Sequence, residues 1–133
     1  MAFHVSKARF GELVEQALRE LPPQFQEHLE HVPVQIEMRP SVRLLRELGL
    51  EEDRLVFGLY QGPSLMDRSE IEGRGTPRPN HILIFQEDHE LVAKNEQHLK
   101  DEVRKTVLHE IGHHFGMSDA DMEAIERAAD DAA

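Results

Sequence analysis

The chain contains no cysteine, so it cannot build a disulfide framework, a thiolate metal site or a cysteine nucleophile. Any metal it holds is bound through histidine and carboxylate. Cationic side chains are scarce as well: 15 Lys and Arg stand against 26 Asp and Glu, for a formal net charge of −11. A surface for the nucleic-acid backbone needs clustered cations, so no nucleic-acid partner is expected. The simplest account of the surplus acid is a soluble acidic surface, with electrostatic steering of basic peptides as a second use. Long apolar runs are also missing. No stretch approaches the roughly 20 residues of a spanning helix, and residues 1–7 lack the apolar run of a signal peptide. The corresponding expectations are no membrane association and a cytoplasmic location. At 133 residues the chain is expected to form one domain, 1–133, with a single modest core.

What the chain does contain is histidine and carboxylate, and residues 108–119 concentrate them as Leu-His-Glu-Ile-Gly-His-His-Phe-Gly-Met-Ser-Asp. If this stretch is helical, His109 and His113 lie four residues apart on one face and present two imidazoles to one cation. Zinc suits them, accepting neutral imidazole nitrogen at about 2.0–2.1 Å in a tetrahedral shell. Glu110 sits about 100° around the helix from His109 and reaches a water on the ion without taking a ligand position. That is the general-base arrangement of metal-dependent peptide hydrolysis.

With nine histidines in the chain, His-Glu-x-x-His alone arises by chance with a probability of roughly 8%. Requiring Gly116 and Asp119 as well lowers the expectation to on the order of a few in ten thousand. A glycine just past a helix takes the left-handed conformation and turns the chain back. Asp119 is then expected to return to the metal as third ligand, leaving the fourth position for water. The competing role for Asp119 is at the start of the next helix. Ser118 and Asp121 resemble a capping box, and an aspartate in a first turn is favoured by the helix dipole. Asp121 and Glu123 are the substitutes for Asp119 at the metal.

These residues carry a resemblance. The motif is similar to that of the zincin metallopeptidases, in the variant whose extended metzincin-type signature ends in Asp instead of His. Over residues 30–125 the chain resembles a family of short bacterial zincin-like metallopeptidase domains, with likeness in Phe57-Gly58-Leu59-Tyr60-Gln61-Gly62 and in residues 107–116. The resemblance implies a strand shortly before the active-site helix that borders the cleft and pairs with extended substrate by edge addition, a role that falls to residues 81–86. Many zincins also stabilise the oxyanion with a downstream His or Tyr. None follows His114 here, and Tyr60, the only tyrosine, reads as a core residue with a bonded hydroxyl.

The remaining elements follow from periodicity and punctuation. Apolar residues at Phe10, Leu13, Val14, Ala17 and Leu18 predict a helix over 5–20, with Ser6 as N-cap and Pro22-Pro23 as the stop. Pro23 opens a short helix to about His31, and alternation over 32–38 predicts a strand. A short helix over 40–50 ends at Gly49, and strands are expected over 55–60 and 81–86. The Gly/Pro-rich connection over 61–80 reads as a cleft-shaping loop or a hairpin tip.

A long helix over 96–115 is expected to bury Val103, Val107, Leu108, Ile111 and Phe115 and to turn His109 and His113 away from the core. Gly112 leaves room for another backbone. A last helix runs from Asp119 through Met122, Ile125 and Ala129. His114 reads as a hydrogen-bonded histidine, either in the core or bonded behind the metal ligands, while His4, His28, His31, His89 and His98 read as solvated.

The expectation is an α+β domain, helices on a sheet of three strands, with the metal helix across it. His109, His113 and Asp119 hold Zn2+, Glu110 is the base, and a peptide or protein is the substrate. Two alternatives stay open: a metal-binding domain without catalysis, and an interaction domain without metal.

Overall fold

The computed structural model describes residues 3–62 and 80–132. Helix α1 (Lys7–Arg19) starts where Ser6 Oγ accepts a hydrogen bond from the Arg9 N–H, and it buries Phe10, Leu13, Val14 and Ala17. Helix α2 (Pro23–Leu29) begins on its proline, which has no N–H to leave unpaired. Strand β1 (Val34–Glu37) follows, then α3 (Val42–Glu47), closed by Gly49 at φ 73°. Strands β2 (Gly58–Gln61) and β3 (His81–Phe85), and helices α4 (Gln86–Val92), α5 (Glu96–His114) and α6 (Asp119–Ala132), complete the order. The expected α+β class is what forms. The cleft-loop expectation over 61–80 falls on residues 63–79, which lie outside the described residues.

Among the described residues three strands are ordered β1-β3-β2, with β1 parallel and β2 antiparallel to β3. This corrects the role expected of residues 81–86. β3 is hydrogen-bonded on both sides and every one of its residues is buried, so it has no edge to offer a substrate. Its run of His-Ile-Leu-Ile-Phe is that of a strand covered on both faces. Among the described residues, the sheet edge nearest α5 is β2. A Cβ at Gly58 would overlap the Thr106 side chain and crowd the Leu83 carbonyl, so glycine is what allows β2 to lie this close to α5.

Helix α5 buries Leu99, Val103, Val107, Leu108 and Ile111 against α1 and the sheet. Phe115, expected on that face, is instead the exposed C-cap residue. Arg9 of α1 binds the Glu96 carboxylate through Nε and a terminal nitrogen at 2.7–3.2 Å, fixing the start of α5.

One histidine joins sheet to helix. His89, expected on the surface, is fully buried: its Nδ1 lies 2.8 Å from the Phe85 carbonyl and its Nε2 2.9 Å from Thr106 Oγ1. Nδ1–H donates to the Phe85 carbonyl, while the one Thr106 hydroxyl proton lies within reach of both Nε2 and the Glu102 carbonyl, 2.9 Å from each. Burial pushes the pKa of His89 below the ordinary 6.5, in agreement with a neutral ring.

Candidate metal centre

The C-terminal end of α5 and the turn after it build the site. The chain leaves the helix through a Schellman turn: Met117 N–H donates to the Gly112 carbonyl at 2.9 Å and Gly116 N–H to the His113 carbonyl at 3.0 Å. Gly116 has φ 76°, which a side chain disfavours. Replacing it by Ala is expected to cost about 1–2 kcal/mol, read as a lowered melting temperature.

The turn hands over to α6 through a reciprocal cap. Ser118 Oγ accepts from the Asp121 N–H at 3.1 Å, and Asp121 Oδ2 accepts from the Ser118 N–H at 3.2 Å. Capping therefore engages Asp121, and Asp119 stands at the first position of the helix. The Asp119 side chain itself lies outside the described residues.

Two helices meet at Gly112. Met122 of α6 is fully buried, and a Cβ at Gly112 would overlap its Sδ and Cγ. The space expected for a neighbouring backbone is filled by this methionine side chain, which seats α6 on α5.

His109 and His113 stand on the solvent side of α5, their rings edge to face with centroids 6.1 Å apart. Two imidazoles on one tetrahedral ion stand about 5 Å apart, so the rings are about 1 Å wide of a shared ion. Among the described residues no group of three His, Asp or Glu side chains converges as it would on a metal. The donor chemistry nevertheless fits zinc. Besides the two imidazoles, Glu126 of α6 places Oε1 3.3 Å from His109 Nε2. That oxygen is buried and has no hydrogen-bond partner among the described residues.

Glu110 is held at the sheet edge. Its Oε2 accepts the N–H of Tyr60 at 3.1 Å. Phe57 O accepts from Phe85 N, so residues 57, 59 and 61 face β3, while the amides of 58 and 60 point outward. Burial raises the pKa of Glu110, opposed by the Tyr60 amide and then by His113 and His109. The carboxylate thus sits between the outer edge of β2 and the histidine face, with raised proton affinity.

His114 is a second correction. It is exposed and stacks on the Tyr60 ring at 4.2 Å and 12°, outside the core. His28, expected to be solvated, lies 4.7 Å edge-on to Phe115 and 6.0 Å from His114 by ring centroids. The Tyr60 hydroxyl is 3.5 Å from His28 Nε2. His28 has its pKa lowered, first by burial and then by the neighbouring His114 and His31.

The family model for zincin-like metallopeptidases matches residues 29–129. The chain belongs to that family. A search of curated proteins finds no match. Among solved structures, a conserved hypothetical protein from Thermo thermophilus superposes with a TM-score of 0.54 at 23% identity, covering 84% of this chain and 94% of that one. That likeness concerns the fold. Membership in the family makes metal-dependent peptide hydrolysis the activity class against which the site is read. No helix among the described residues is long and apolar enough to cross a membrane.

Gly58 and Glu126 take roles that the sequence expectations do not include, and His89 takes one other than the surface role expected of it. Gly58 and His89 had no local signal, since their roles depend on how β2 and α4 meet α5. Glu126 had one: it follows the buried Met122 by four residues, so it shares the face that α6 turns toward α5.

Proposed function

We propose that this chain is a zinc-dependent peptidase in which His109, His113 and Asp119 hold the ion and Glu110 is the general base. Zinc, when bound, polarises the scissile carbonyl and lowers the pKa of its water toward 7. Glu110 takes the proton of the attacking water and delivers it to the leaving amine. Its burial, which favours the protonated form, matches a group that must accept a proton and then give it up. The outer edge of β2, apart from the Tyr60 amide that Glu110 already holds, is the proposed seat for an extended peptide, whose main chain would pair there independently of side-chain identity. The observation that carries this reading is the Glu110 carboxylate held by the Tyr60 amide, beside the histidine face and against the outer strand of the sheet.

A metal-binding domain without catalysis is the second reading. The carboxylate of Glu126 beside His109 favours it, because closed shells of protein donors mark structural ions. The first test is elemental analysis of protein purified without added metal. About one zinc per chain is expected, lost in His109→Ala and weakened at least about a hundredfold in Asp119→Asn. Metal-free protein that takes up no zinc on titration would end both readings.

A further inference from the structure

Glu126 is a described carboxylate beside His109 that the proposed reaction does not use. Its side chain is 15% exposed, and its Oε1 is shielded from solvent and accepts no hydrogen bond among the described residues. Leaving a carboxylate oxygen dry and unbonded costs free energy. The neighbour it faces is His109 Nε2, at 3.3 Å. A charge-assisted N–H···O bond closes to about 2.7–2.9 Å, so this contact is too long for a good one. It is, however, the spacing of two ligands on one ion. Two donors each about 2.0–2.1 Å from a tetrahedral zinc lie about 3.3–3.4 Å apart.

We propose that Glu126 is a further zinc ligand, its Oε1 and His109 Nε2 forming one edge of the coordination shell. This rests on the zinc site proposed above and adds a fourth protein donor to His109, His113 and Asp119. The position that hydrolysis reserves for water is then filled in the resting protein, and Glu126 must withdraw for a peptide to be cleaved. Glu126 lies one turn beyond Met122, whose packing on Gly112 seats α6 on α5.

The test compares zinc affinity in wild type and Glu126→Gln by competition with a chromophoric chelator, together with visible spectra of the cobalt-substituted proteins. Loss of a ligand is expected to weaken zinc about ten- to a hundredfold and to shift the cobalt bands. Equal affinity and superimposable cobalt spectra would overturn the proposal and leave the zinc site standing. If the wild-type chain takes up no zinc, the site and the role of Glu126 fall together. A reading that does not depend on the variant folding is the side-chain carboxylate 13C resonance of Glu126 in the wild-type chain. Zinc is expected to move it, and an unmoved resonance in the zinc-loaded protein overturns the proposal.

Discussion

Glu110→Gln is expected to lower peptide hydrolysis about 10²–10⁴-fold while leaving zinc content and thermal stability close to wild type. The substitution keeps the shape of the side chain and an oxygen able to accept the Tyr60 amide, so the edge of β2 stays where it is. What it removes is the capacity to accept a proton from water. The measurement is initial rate on a quenched peptide library, with metal content determined on the same samples. Undiminished cleavage by the variant would remove Glu110 from the chemistry.

His89→Ala is expected to produce the largest loss of stability. The substitution leaves a cavity in the core and strips a partner from the Phe85 carbonyl, while the Thr106 hydroxyl keeps the Glu102 carbonyl, for about 3–5 kcal/mol in all. Against a total stability of about 5–15 kcal/mol this is a large fraction, and the melting temperature is expected to fall by about 10–15 °C. The effect carries a pH signature. The folded chain holds His89 neutral below its ordinary pKa of 6.5, whereas the unfolded chain does not. Below about pH 6.5 the unfolded state therefore binds a proton that the folded state refuses, and stability falls as pH drops toward the depressed value. Above 6.5 the contribution is flat. Asp88 and Glu110, both raised by burial, act in the opposite sense as their carboxyls protonate at lower pH. Urea titrations at pH 7.5 and 5.5 are expected to show a loss in wild type that shrinks in His89→Ala. An equal change in wild type and His89→Ala across that interval would contradict a buried neutral ring.

Much of this arrangement is local, and the local part was readable. Ser6, Gly49, Gly116 and the Ser118 to Asp121 pair act within a few residues of themselves, and each stands where its chemistry placed it. The four-residue spacing of His109 and His113 needed only a helix. What stayed hidden depends on partners far along the chain. A strand of five buried residues reads alike whether it is central or at an edge, and only its pairing with β1 and β2 decides. His89 looks like any surface histidine until Phe85 and Thr106, one before it and one well after, close around its ring. Phe115 looked like a core residue because the helical wheel was carried one position too far, past the point where the chain leaves the helix.

His109, Glu110, His113, Asp119 and Glu126 all fall within residues 109–126, on two helices joined by the four residues 115–118. Bringing them together requires closing only a very short connection, so little chain entropy opposes assembly of the cluster. An ion held there would cross-link an α-hairpin at the end of the molecule without bridging to the strands. Its binding energy would fasten the terminal helix to its neighbour, leaving the sheet and α1 to depend on their own apolar contacts.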